Sequence, residues 1–175
     1  MLFYVGDMHL GHKNCIKHDN RPFVFIEDHD RALMELWNGR LGPNDDVIIC
    51  GDFCYKAKLG YKYYAEQLSG NKILVAGNHD RHIINDPDFL KYFDSVHDML
   101  TVDDGGHKIF CCHFPVAEWP AAHYGVKHFY AHVHRNCTPA HEFMKQQPNV
   151  YNIGVMHQSW RPWTAEEVIA GHMLF

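Results

Sequence analysis

Five short apolar runs in this chain each lead into residues that can hold a metal or move a proton, and this repeated phase restricts the fold more than any other feature. Leu2-Phe3-Tyr4-Val5 leads to Asp7 and His9. Val47-Ile48-Ile49-Cys50 leads to Gly51-Asp52, and Ile73-Leu74-Val75-Ala76 to Gly77-Asn78-His79-Asp80. Ile109-Phe110-Cys111-Cys112 leads to His113, and His128-Phe129-Tyr130-Ala131 to His132 and His134. Apolar runs of about four residues bounded by turn residues are the signature of parallel strands buried on both faces. Ligands and reacting groups in open α/β sheets collect beyond the carboxyl ends of such strands. The pattern predicts an α/β fold in which five strand ends deliver carboxylate, imidazole and amide groups to one rim. One Asp after a strand reads as a turn or cap residue, and one His as a polar side chain with a partner. Five such groups at one phase are not explained that way, because chance would scatter them through strands, helices and loops.

The inventory narrows the chemistry. Asp7, Asp52, His9, His113, His132, His134 and Asn78 offer oxygen and nitrogen, with no thiolate among them. That mixture suits Mn, Fe, Co or Zn and is too rich in nitrogen for a Mg or Ca cage. Seven ligands exceed what one tetrahedral ion takes. Two ions about 3.5–4 Å apart, sharing a carboxylate, would use them all. Such a pair lowers the pKa of a water between its members and clamps the attacking and leaving oxygens of an in-line displacement at phosphorus. Its residual positive charge draws in an anion.

In order and spacing, Asp7-x-His9, Gly51-Asp52, Gly77-Asn78-His79-Asp80, His113 and His132-x-His134 resemble the blocks of the calcineurin-like metallophosphoesterases, the binuclear metallophosphatases. The resemblance runs over about residues 2–134. Asp7 to Asn14, followed by Arg21-Pro22-Phe23, is similar to a small single-domain bacterial and phage branch. In one departure, Ala131 stands where the last block usually has glycine; alanine is nearly as small, so the close approach of the backbone is expected to survive.

The resemblance implies a four-layer αββα sandwich, one domain spanning residues 1–175, and hydrolysis of a phosphomono- or phosphodiester by in-line attack of a metal-bridging hydroxide. The implied cofactors are two divalent ions, Mn favoured over Fe, Zn or Co. One would be held by Asp7, His9, Asp52 and His134, the other by Asp52, Asn78, His113 and His132. His79 falls outside the metal shell, where it protonates the leaving alkoxide or orients the phosphate. Asp80 either holds its imidazole or caps the following turn. Arg81, whose guanidinium matches phosphate oxygens, is an expected substrate contact together with His12 and Asn14. Arg21 reads as a solvated loop residue.

Other members of the family act as nucleases, cyclic-nucleotide phosphodiesterases or metal-free scaffolds. The intact ligand set disfavours a scaffold. A net charge of −5 without a basic stripe disfavours a partner as long as a nucleic acid strand. A small phosphoester, such as a nucleotide, is the expected substrate, with mono- and diesters both open. The loops Leu10 to Phe25 and Phe114 to Lys127 are expected to shape selectivity, with Glu118 and Trp119 either lining a wall or packing at the rim.

At 175 residues, 46% hydrophobic and 21% charged, the chain can bury about 70% of its unfolded surface in one core. It has no apolar run approaching 18 residues and no basic, apolar leader, so the expected setting is soluble and cytoplasmic, with no membrane partner. Of six cysteines, Cys50, Cys111 and Cys112 lie in or beside strand runs and Cys54 follows the Asp52 loop; free, buried thiols are expected. Helices are predicted over Ile26 to Leu41, over Leu59 to Leu68, and from a Thr164/Glu167 capping box to the chain's end. Tyr61, Tyr63 and Tyr64 read as packing, and Val150 to Val155 as a further strand. His18, His29, His82, His97, His107, His123, His141, His157 and His172 share no phase and read as surface or loop residues. With sixteen histidines, the net charge is expected to climb steeply below neutral pH.

Overall fold

The computed structural model describes residues 1–171 and has a mixed α/β architecture with two sheets. Strands β1 (Leu2–Val5), β2 (Asp46–Cys50), β3 (Asn71–Val75) and β4 (Ser95–His97) run parallel in the order β4-β3-β2-β1. The second sheet holds β5 (Met99–Asp104), β6 (His107–Cys112), β7 (Lys127–Tyr130) and β8 (Val150–Asn152); only its β5–β6 pair is antiparallel. β9 (Trp163–Thr164) lies antiparallel on β1 and closes the edge of the first sheet. Its two residues are too short to stand out as a strand in the sequence.

Every predicted apolar run is a strand, and alternation across the pleat explains why the runs are continuous. From the first sheet, Phe3, Val5, Val47, Ile49 and Leu74 enter one core cluster; Tyr4, Ile48, Cys50 and Val75 enter another, together with Ile109, Cys111 and Phe129 of the second sheet. The two sheets thus share one apolar seam. The opposite face of the first sheet packs on α2 (Ile26–Asn38) through Leu33 and Trp37, and on α3 (Gly60–Gln67) through Tyr61, Tyr64 and Ala65. On the outer side of the second sheet, Tyr130 and Val150 join Met144 of α5 (Pro139–Met144), while Phe110 and Cys112 pack near Trp119. Trp119 therefore supports the rim.

The helix expected to reach Leu41 stops at Asn38, because the N–H groups of Arg40 and Leu41 both turn back onto the Trp37 carbonyl. The strand expected to run to Val155 leaves the second sheet after Asn152. Gly6 N–H then donates to the Ile153 carbonyl and Val155 N–H to the Gly6 carbonyl, tying this segment to the end of β1. Thr164 and Glu167 form the predicted capping box ahead of α6 (Ala165–Gly171), with 2.9 and 3.3 Å bonds; continuation to the end falls outside the described residues, as does His172. Cys15, Cys50, Cys54, Cys111 and Cys112 are buried free thiols, and Cys137 is an exposed one. Among the described residues no helix is long and apolar enough to cross a membrane.

Candidate metal centre

The strand ends of β1, β2, β3, β6 and β7 meet where the two sheets adjoin. Asp7 N–H donates to the Gly51 carbonyl, His9 N–H to that of Asp52, and Ala131 N–H to that of His113, so the loops are sewn together by backbone bonds. Asp7, His9, Asp52, His132 and His134 all have positive φ, between 52° and 69°. Such backbone costs a non-glycine residue roughly 1–2 kcal/mol and persists where surroundings impose it. A Cβ on Gly51, itself at φ +78°, would collide with the His113 ring, and one on Gly77 with the Asp52 carboxylate. The Ala131 methyl is accommodated because Gly6 faces it without a side chain of its own.

Asp7, His9 and His134 each offer a ligand atom within 4.8 Å of the others, as do Asp7, Asp52 and His113. Asp52 Oδ2 lies 3.4 Å from His9 Nε2 and 3.7 Å from His113 Nε2, facing both histidines, while Asp52 Oδ1 accepts from His79 N–H at 2.9 Å. Asn78 Oδ1 and His132 Nδ1 approach His113 Nε2 at 3.0 and 3.2 Å, and His9 Nε2 and His134 Nε2 are 3.2 Å apart. The seven expected ligands therefore converge. Both oxygens of fully buried Asp7 lack a hydrogen-bond partner. A buried carboxylate without donors is costly unless a cation satisfies it, so the donor set fits divalent ions.

The electrostatics agree. Burial, with the Asp7 carboxylate adding to it, outweighs His113 and pushes Asp52 up to about 7. Burial holds His9 and His132 below the ordinary histidine range, with neighbouring imidazoles acting in the same direction, so both are ready to coordinate as neutral rings. His134 behaves oppositely: burial works against its charge, but the Asp7 and Asp19 carboxylates prevail and raise it. Its Nδ1 lies 3.4 Å from Asp19 Oδ2, and His113 Nδ1 is 2.9 Å from the Cys50 carbonyl. Such partners leave the His113 Nε2 facing His132 and Asn78 and the His134 Nε2 facing His9.

Three expectations need correction. Arg21 is buried, not solvated. It donates to the carbonyls of Asp7 (2.7 Å) and Met8 (2.9 Å), to Asp19 (3.0 Å) and to His29 Nε2 (2.7 Å). Asp80 makes no hydrogen bond to the His79 ring and does not cap α4 (Arg81–Ile84). Its carboxylate accepts from the N–H groups of Asp52, Phe53 and Gly77 at 2.8–3.0 Å, stapling two ligand loops together. His29 and His141 are buried rather than superficial. His29 links Arg21 to Asp30, which in turn accepts from Gly11 N–H and the Tyr64 hydroxyl.

His79 is half-buried, its ring 5.5 Å from that of His9 and 4.1 Å from that of Tyr55. Tyr55, three residues past Asp52, carried no signal in the sequence. His12 joins this mouth, its ring 5.9 Å from His79; burial, then His79, lowers it to about 4. Asn14 is exposed and lies outside the pocket that His9, His12, His79 and His134 line. Arg81 is exposed and lines a different cavity, beside Asn78. Arg21, Asp19, Asp80 and Tyr55 thus complete the site.

No family model matches the chain. An uncharacterized protein of Methanocaldococcus jannaschii is 25% identical over 171 residues, 96% of this chain and 89% of that protein. The Gene 66 protein of Mycobacterium phage D29 is 30% identical over 129 residues, covering 65% of this chain and 63% of the phage protein. That of phage L5 is 32% identical over 81 residues, 45% and 39% of the two chains. Among solved structures, a protein of unknown function from Aquifex aeolicus matches with a TM-score of 0.76 over 97% of this chain and 98% of that one, at 23% identity, so the two share a fold.

Proposed function

We propose that the protein is a metal-dependent phosphoesterase of the calcineurin-like kind, a single domain built as a four-layer αββα sandwich. The observation that carries the reading is Asp7, a buried carboxylate with no hydrogen-bond donor on either oxygen and His134 as a 4.0 Å ion-pair neighbour, set among His9, His134, Asp52 and His113. The apolar seam between the sheets, with α2 and α3 outside one and α5 outside the other, supports the layering. One ion would be held by Asp7, His9, Asp52 and His134, and a second by Asp52, Asn78, His113 and His132. When bound, Mn or a similar ion supplies Lewis acidity at the phosphoryl oxygens and lowers the pKa of water.

The chain's own groups account for the rest. Asp52 presents one oxygen to both halves of the cluster because His79 N–H occupies the other. His113 is fixed in orientation by the Cys50 carbonyl and His134 by Asp19, so neither ring has to reorganise when substrate arrives. His79 and His12 stand at the mouth, outside the ligand cluster, where an imidazole can hold or pass a proton at the departing oxygen. The buried free thiols and the absence of a spanning helix among the described residues support a cytoplasmic setting.

The test is metal dependence. Chelator-treated protein is expected to lose hydrolysis of nitrophenyl phosphate mono- and diesters, and Mn to restore it better than Mg or Ca, as the nitrogen-rich donor set dictates. Full activity in excess chelator, or with Ca alone, would overturn the reading.

A further inference from the structure

A cavity of about 570 Å³ opens beside the ligand cluster and shares Asn78 with it. That volume suits a drug-sized or nucleoside-sized group, since small-molecule sites occupy about 300–1,000 Å³. Its walls are mainly apolar: Ile84 of α4, Met99 at the start of β5, Cys112 at the end of β6, and the Phe114 ring. Phe114 and Met99 stay 43% and 58% exposed, large apolar side chains left in water on the same wall. The Phe114 ring is also anchored, its centroid 4.9 Å from that of His113 and 4.7 Å from that of His132. An aromatic ring is therefore held against two of the proposed ligand histidines. Arg81, Asn85 and Asp98 add exposed polar groups around this apolar wall.

We propose that this cavity is the subsite for the organic group of the phosphoester and that it takes a nucleobase, the substrate class being nucleotides. An alkyl or acyl group would make use of the apolar wall but not of the carboxylate and carboxamide beside it. A nucleobase uses both: its π-face stacks on Phe114, and its N–H groups have Asp98 and Asn85 as acceptors. Arg81, on the same side as Asn78, is then the cation for a phosphate oxygen. Placing the phosphate at the metal centre rests on the phosphoesterase reading; placing the base rests on the cavity itself.

Nucleoside 5′-monophosphates and ribose 5-phosphate leave through the same primary alkoxide and differ only in the base, so the Mn-loaded protein should be compared on both. A stacked base is expected to improve kcat/KM about 5- to 100-fold over ribose 5-phosphate. In parallel, binding of adenosine, guanosine and ribose is measured by calorimetry, with metal content determined for every variant. Both nucleosides should bind more tightly than ribose. Phe114→Ala should remove that advantage, Phe114→Tyr should retain it, and Asp98→Ala, at an exposed position outside the ligand cluster, should weaken nucleoside binding with both metals in place. Equal binding of ribose and nucleosides by wild type, or nucleoside binding unchanged in Phe114→Ala, would overturn the subsite. Nucleoside binding that depends on Phe114 in a protein that hydrolyses no ester would uphold the subsite and sink the phosphoesterase reading instead.

Discussion

Asp7 and Asp52 face the same histidines but are held differently, and the difference has a measurable consequence. Asp52 gives one oxygen to His79 N–H and directs the other between His9 and His113, whereas Asp7 gives neither oxygen to a donor. As the group that the proposed assignment shares between both ions, Asp52 would support two coordination shells. Asp52→Asn is expected to lose both metals and Asp7→Asn to keep more, as read by metal analysis of the purified variants; two ions retained in Asp52→Asn would remove the bridge. His79 makes the complementary case, since its ring lies outside the ligand groups. His79→Asn should keep both metals yet lose about 10²–10⁴-fold in rate on alkyl esters, the usual contribution of a general acid, and less on nitrophenyl esters, whose leaving group needs little protonation. Equal loss on both ester types would leave His79 only a positioning role. A fall in metal content would place it among the ligands.

Between elements, the least legible part of the site proved to be the buried network beneath it. The convergence of the candidate ligands was readable because each follows a strand at one phase, a relation carried by sequence neighbours alone. Arg21 was not, because its partners are the carbonyls of Asp7 and Met8 and the side chains of Asp19 and His29, brought together only by folding. Asp80 was misread for the same reason: its three donors are backbone N–H groups of two separate loops. The division into two sheets came from the family resemblance and not from the residue pattern, since strands buried on both faces look alike whichever sheet they join. Arg21 ties α1 (Lys13–His18), the loop after β1 and the start of α2 into one unit. Arg21→Met keeps much of the volume but leaves the buried Asp19 carboxylate without its guanidinium partner and the carbonyls of Asp7 and Met8 without donors. Removing one member of a buried ion pair costs about 3–5 kcal/mol. Denaturant unfolding should show a loss of that size, and metal affinity should fall with it. Wild-type stability and metal affinity in Arg21→Met would show that the β1 loop holds its shape unaided.

Across the molecule, several buried histidines resist charging, which bears on the steep charging expected from their number. Burial holds His29, His128 and His141 below the ordinary range, so the folded protein takes up fewer protons on acidification than its sixteen histidines suggest. His128 is the clearest case, lowered to about 4 at a fully buried position. Its Nε2 accepts from Val116 N–H at 3.1 Å, so Nδ1 must carry the proton toward the Phe110 carbonyl 3.2 Å away, and a second proton would break the first bond. The unfolded chain protonates this histidine near 6.5, the folded chain only near 4. Its contribution to stability is therefore complete above about pH 6.5 and is lost as pH falls through that window, because only the unfolded state binds the proton there. At 1.36 kcal/mol per pKa unit the loss reaches about 3 kcal/mol by pH 4. His128→Gln cannot titrate, so it will be less stable than wild type at pH 7.5, and the gap should shrink by about that amount as urea unfolding is repeated down to pH 4.5. A gap that stays constant with pH would mean that His128 takes up its proton as readily in the folded protein as in the unfolded chain, and that the loop from Phe114 to Lys127 does not depend on a neutral imidazole beneath it.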